Sequence, residues 1–165
     1  IFSAFTIYLD KPFKIGDYVV LGADSGRVEK IGIKSTRIRT LQGELLVVSN
    51  KELTSVRINN FEKMEKRRVS FMLGVTYGTP KAKLEKIPAI IEKIINDHEQ
   101  TEFSRCYFET FGDFSLNFNI VYNILSKEMD DAVKVKHELH LAIYEAFEKE
   151  NIEFAFPTQT VHVEK

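Results

Sequence analysis

The residues of this 165-residue chain that could do chemistry are few and poorly grouped. His137 and His140 stand three apart, and imidazoles at that spacing on a helix can share a metal ion. No His-Glu-x-x-His signature and no cysteine pair accompanies them, and Lys134 and Lys136 beside them point to a solvated polar face. Cys106 is the single cysteine, so no internal disulfide can form; Arg105, Tyr107 and Phe108 around it mark a strand in which it is a small buried hydrophobe. Gly22-Ala23-Asp24-Ser25-Gly26 is rich in glycine, but it lies between strands, lacks a following Lys-Ser/Thr pair and opens no helix, so it is turn chemistry and not a phosphate cradle. Asp130 and Asp131 fall at a helix start, where they complement the macrodipole, and nothing resembles a nucleophile elbow or a Cys-His arrangement. No enzyme, metal or cofactor is expected.

Charge narrows the class further. The formal net charge is −1, with +2 on residues 1–62 and −3 on the rest, whereas a dedicated nucleic-acid binder usually carries a strongly basic domain. Hydrophobic residues at 44% and charged residues at 28% describe a folded chain, with thirteen phenylalanines and no tryptophan supplying much of the core. No run reaches the roughly 20 apolar residues that cross a bilayer as a helix. The opening Ile1-Phe2-Ser3-Ala4-Phe5-Thr6-Ile7-Tyr8-Leu9 is uncharged, bulky and without an initiating Met, a basic flank or a small-residue cleavage site. It reads as the end of a longer apolar helix.

The elements that must position these residues divide the chain in two. Asp10-Lys11-Pro12 stops the apolar run. From Gly16 to about Asn60 the residues favour strands: Asp17 to Leu21, a turn over Gly22 to Gly26, then a long β-branched stretch from Arg27 to Thr40. In that stretch Ile31 and Ile33 have one parity and Val28, Thr36, Ile38 and Thr40 the other, which predicts a bend or bulge near Gly32 to Ser35. Leu41 to Glu44 predicts a hairpin turn, Ser49 caps a single helical turn, and Thr54 to Asn60 returns as a strand. The sum is a five-stranded partial barrel over 10–62, followed by a charged connector over 63–68.

Residues 69–157 alternate strands and helices in the order β-α-β-β-α-β, a ferredoxin-like unit. Val69 to Tyr77 is the first strand, and Thr79 as N-cap with Pro80 behind it opens a helix with Leu84, Ile87, Ile91 and Ile94 on one face, kinked at Pro88. Ser104 to Thr110 and Ser115 to Leu125 form a strand pair. The last helix, Asp130 to Glu150, is expected to bury Ala132, Val133, Leu139, Ile143 and Phe147. Rings at Tyr107, Phe108, Phe111, Phe114 and Phe118 are expected to pack under the two helices, although small barrels and ferredoxin-like sheets also host RNA-binding modules. Thr158 to Val163 alternates as a final strand. The fold class is α+β: a small Sm-like β-barrel domain, then the ferredoxin-like split βαβ domain.

This order resembles one family closely, the small-conductance (MscS) mechanosensitive ion channels. Lys11-Pro12-Phe13-Lys14-Ile15-Gly16-Asp17 is similar to the segment that ends the pore-lining helix and enters the β-domain in that family. Gly26-Arg27-Val28, Thr36-Arg37-Ile38-Arg39-Thr40 with Gly43, Val47-Val48-Ser49-Asn50 and Ile58-Asn59-Asn60-Phe61 resemble its barrel strands, and Ile152-Glu153-Phe154-Ala155-Phe156-Pro157 its last connection. Ser49 departs from the family, which often has proline there, and Pro88 is unexpected in its helix.

The resemblance implies that residues 1–9 end a pore-lining helix and that 158–165 supply a strand to an oligomeric barrel. It implies a junction at Phe5, Lys11, Pro12, Phe13, Gly16 and Asp17, and barrel motif positions at Gly26, Thr36, Thr40, Gly43, Asn50, Asn60 and Phe61. Thr158, Thr160, Val161, His162 and Val163 would form the oligomer strand. The implied protein is a channel in the cell membrane that releases ions and small solutes under tension during osmotic shock. This region would be its cytoplasmic vestibule, built from copies of itself as a homo-heptamer and tied to the lipid membrane through upstream helices. With acidic and basic residues so balanced, weak ion preference is expected. The alternative is a soluble RNA-associated or regulatory binding module with the same two domains.

Overall fold

The structure is a computed structural model that describes residues 7, 9, 10 and 12–158. It separates into two compact units, 1–64 and 65–165. The mixed α+β class read from the sequence, a small Sm-like barrel and then a split βαβ unit, is the one observed.

In the first unit β1 (Tyr18–Leu21), β2 (Asp24–Ile31), β3 (Ser35–Thr40), β4 (Leu45–Ser49) and β5 (Ile58–Asn60) form one sheet in the order β4-β3-β2-β1-β5. The single helical turn α1 (Asn50–Leu53) precedes β5, capped by the Ser49 hydroxyl, which accepts from the Glu52 N–H at 3.1 Å. Side chains alternate across the pleat, and the inward set, Val19, Val28, Ile38 and Val48, closes on Ile7, Phe13 and Leu53. The bend expected near Gly32 to Ser35 is instead a complete reversal: the Gly32 N–H bonds the Ser35 carbonyl at 2.9 Å, and β2 and β3 run antiparallel. The parity conflict is resolved by that hairpin together with a bulge between Val28 and Lys30. Thr54 to Val56 belongs to the turn after α1, so the returning strand is only three residues long.

The second unit contains β6 (Arg67–Val75), α2 (Lys81–Leu84), α3 (Ile87–Asp97), β7 (Thr101–Phe111), β8 (Leu116–Ile124) and α4 (Met129–Lys149). Its sheet has the order β6-β8-β7, with Phe154 bridging antiparallel to Val75 at the free side of β6. Leu116, Phe118, Ile120, Tyr122 and Ile124 of the central strand face Ile87, Ile91 and Ile95 of α3 and the α4 stripe across one continuous core.

Four expectations need correction here. Pro88 does not kink a surviving helix: the segment breaks into α2 and α3, and Pro88 sits in the first turn of α3, where a missing N–H costs nothing. The N-cap of α2 is Pro80, one residue past Thr79. On α4 the buried stripe runs Ala132, Val135, Leu139, Ile143 and Phe147, spaced three then four, so Val133 falls a third of a turn outside it and is exposed. Of the five rings expected under the helices only Phe118 is buried; Phe111 is 75% exposed and Tyr107 68%. Bulges at Phe103/Arg105 and Phe108/Thr110 reset the parity of β7, and β7 is an edge strand whose bonds to α3 lie at its start, Thr101 to Ile95 and Phe103 to Asn96. Phe108, 39% exposed, lies opposite Phe118 with the two rings tilted at 5.4 Å, and Phe111 is edge-on to Phe108 at 4.8 Å.

Candidate functional site

The segment that leads into the barrel is held by a polar knot. Gly16 has φ +98°, a left-handed conformation that a side chain would strain, and this turn lets its N–H reach the Val28 carbonyl at 2.8 Å. Arg27 donates back to the Gly16 carbonyl at 2.6 Å. The buried carboxylate of Asp17 accepts from the Lys14 N–H at 3.0 Å and from the Asn60 amide at 2.7 Å. The same amide nitrogen donates to the Pro12 carbonyl at 3.0 Å, and the Asn60 oxygen accepts from the Glu62 N–H at 3.0 Å. Phe13 fills the barrel core below this loop. Pro12, Phe13, Gly16 and Asp17 are thus brought together with Asn60, while Phe5 and Lys11 lie outside the described residues.

The remaining barrel positions lock strands together. At Gly26 a Cβ would stand 2.3 Å from the Arg39 carbonyl oxygen, so only glycine permits β2 and β3 to approach there. Thr36 and Asn50 are both buried and satisfy each other, the Thr36 hydroxyl donating to the Asn50 oxygen at 2.9 Å. The Asn50 amide donates onward to the carbonyls of Gly32 at 2.8 Å and Ile33 at 3.3 Å, tying α1 to the hairpin. Thr40 and Gly43 close the next hairpin, the Gly43 N–H on the Thr40 carbonyl at 3.1 Å and the Glu44 N–H on the Thr40 hydroxyl at 3.2 Å. Phe61 donates its N–H to the Tyr18 carbonyl at 3.0 Å and meets the Tyr18 ring edge-on at 6.3 Å. Thr158 is exposed and outside any strand, and Thr160, Val161, His162 and Val163 lie outside the described residues.

Local sequence gave no signal for two features. The Asp17 and Asn60 partners are 43 positions apart, and a forked ion pair, Arg39 to Glu29 at 2.9 and 3.1 Å, crosses between β2 and β3. An asparagine directly after the Ser49 cap, and another inside a strand, are the available hints, since buried amides need partners.

In the second unit the sheet has a second face, away from the helices, where Val121 is buried and Asn117, Asn119 and Asn123 are partly buried. Cross-strand register places Arg68, Ser70 and Met72 of β6, Asn117, Asn119, Val121 and Asn123 of β8, and Glu102, Arg105, Tyr107 and Thr110 of β7 on it. One ring, Tyr107, stands among them, so the face offers no pair of aromatics on which successive bases could stack. The Lys66 ammonium bonded to Glu102 holds that carboxyl below the usual carboxylate range. His137 and His140 gather no further ligand: no group of three metal-binding side chains occurs among the described residues. Burial lowers the His140 pKa, and Glu138, adjacent to His137 in sequence, pairs with His98 at the end of α3 at 3.1 Å, which lowers the Glu138 pKa. Cys106 is buried and its thiol is pushed up to about 12 by that burial, far from a reactive thiolate. No helix among the described residues is long and apolar enough to cross a membrane.

Comparison with known proteins finds the mechanosensitive ion channel β-domain model matching residues 1–63 and the mechanosensitive ion channel MscS C-terminal model matching residues 69–154. The small-conductance mechanosensitive channel MscMJ of Methanocaldococcus jannaschii is 41% identical over 160 residues, which cover 96% of this chain and 46% of that protein. The large-conductance mechanosensitive channel MscMJLR of the same organism is 40% identical over 164 residues, 96% of this chain and 45% of that protein. Among solved structures, the closed-state crystal structure of Helicobacter pylori MscS superposes with a TM-score of 0.81 at 25% identity, over 100% of this chain and 64% of that one. The chain spans about half the length of the curated relatives it matches.

Proposed function

The chain belongs to the MscS family of mechanosensitive ion channels, and we propose that it is the cytoplasmic vestibule wall of a channel in the cell membrane that releases ions and small solutes under tension. The observation that carries this reading is the succession of two family domains, the β-domain over 1–63 and the C-terminal domain over 69–154, in one chain and in that order. The family is one of ion channels and not of enzymes.

In this reading the chain arrives from a pore-lining helix that ends at the Pro12 to Asp17 junction, copies of the chain close a ring, seven of them by resemblance to the family, and residues 158–165 gather into a barrel at its base. Ring closure supports the exposed strand edges: β4 and β5 border the first sheet, and the far side of β7 borders the second. An RNA-associated module draws no support, because the sheet face away from the helices carries one aromatic ring among the described strand residues and the chain is slightly acidic.

Expression of the full-length protein in bacteria deprived of their own tension-gated channels tests the proposal. The cells are expected to survive a hypo-osmotic downshock that kills the empty-vector strain; survival no better than that strain contradicts it.

A further inference from the structure

One side chain in the barrel holds both the arriving and the departing chain. The Asn60 amide has two N–H groups, and both are used, on the Pro12 carbonyl at 3.0 Å and the Asp17 carboxylate at 2.7 Å. Its oxygen is used as well, by the Glu62 N–H at 3.0 Å. Asn60 is itself fixed by strand pairing, opposite the buried Val19 of β1. Segments 48 and 43 positions upstream are therefore joined through a single amide to the first residues that leave the barrel toward the connector. No other side chain serves: aspartate has no donor, and glutamine places its amide one methylene too far from a strand that cannot move.

We infer that Asn60 is a positioning residue that, with Asp17, couples displacement of the segment entering the barrel to the segment leaving it, and so sets the tension at which the channel opens. The inference rests on the channel reading above. The knot is a two-state element of the kind that carries such coupling, because its bonds converge on one carboxylate and one amide and loosen together. Energetic coupling is reciprocal, so disturbing either end must be felt at the other.

Two measurements test it. The first is amide hydrogen exchange on the full chain. Asn60→Ala is expected to speed exchange of the Lys14 amide, and Asp17→Ala that of the Glu62 amide, each by about tenfold, although neither amide is bonded to the residue replaced. The Gly32 amide, bonded to Ser35, reports that the barrel remains folded. Where alanine unfolds the barrel, Asn60→Asp keeps the size and the Glu62 bond, removes both donors, and is expected to release Lys14 alike. Exchange that changes only at the directly bonded amide overturns the coupling. The second measurement is the midpoint tension of the full-length protein in membrane patches. Asn60→Ala, Asp17→Ala and the double variant are expected to shift it equally, with the open-channel current unchanged. An unaltered midpoint, or shifts that add, overturns the inference while the channel reading stands. Reciprocal exchange in a wild-type protein that passes no tension-gated current would instead refute the channel reading and leave the clamp intact.

Discussion

The two units are held together by different means. Among the described residues the barrel core is a cluster of seven buried apolar residues against a cluster of seventeen in the α/β unit, and seven are too few to specify a five-stranded sheet by burial alone. It relies instead on keys between positions far apart in sequence: glycine against backbone at Gly26 and Arg39, the Thr36–Asn50 bond, and the Asp17–Asn60 knot. The α/β unit has a continuous layer in which β8 buries every second residue against α3 and α4, and its polar bonds lie mostly at the rim. A layer of that kind tolerates small losses of volume, whereas a key either fits or does not. The difference suits the proposed role, in which the barrel must hold the chain arriving from the membrane at a fixed angle and the α/β unit must be a stable wall.

Gly26→Ala is the strongest way to break this comparison. The added carbon meets the backbone of Arg39, which cannot move aside as a side chain would, so the barrel should lose stability at or above the top of the usual overpacking cost of about 1–3 kcal/mol. Site-resolved hydrogen exchange is expected to show the β2–β3 amides released and those of β8 still protected. Loss of protection in β8 as well would mean that the units do not stand separately.

Tyr122→Phe sharpens the other side with a smaller effect. Tyr122 is fully buried, its hydroxyl has no hydrogen-bond partner among the described residues, and burial pushes the phenol pKa up. Removing that oxygen keeps the ring edge-on to Phe71 and is expected to leave stability unchanged or raise it by up to about 1 kcal/mol in urea unfolding. A loss of similar size would show that the hydroxyl has work to do and that this core is not organised by volume alone.

The same contrast explains what could be read in the sequence. The α+β class, the Ser49 cap and the burial of Cys106 follow from local rules of periodicity, capping and composition, and they hold in the fold. The misreadings come from phase. Val133 lies outside the buried stripe and Val135 inside it, a phase that only the whole helix fixes. The rings of β7 went astray because two bulges reset the alternation and an edge position left Phe111 and Tyr107 uncovered. The reversal at Gly32 carries neither Asn-Gly nor Asp-Gly, so the hairpin is set by tertiary contacts, among them the Asn50 amide on the Gly32 carbonyl. Asp17 and Asn60 are individually unremarkable polar residues, and only the sheet order that places β5 beside β1 brings them together.

The measurement that bears most directly on the central claim is the current through pressure-clamped patches of liposomes containing the full-length protein. The account predicts unitary currents whose open probability rises with suction and which are absent from protein-free liposomes. Patches that stay silent up to the tension at which the bilayer ruptures would contradict it.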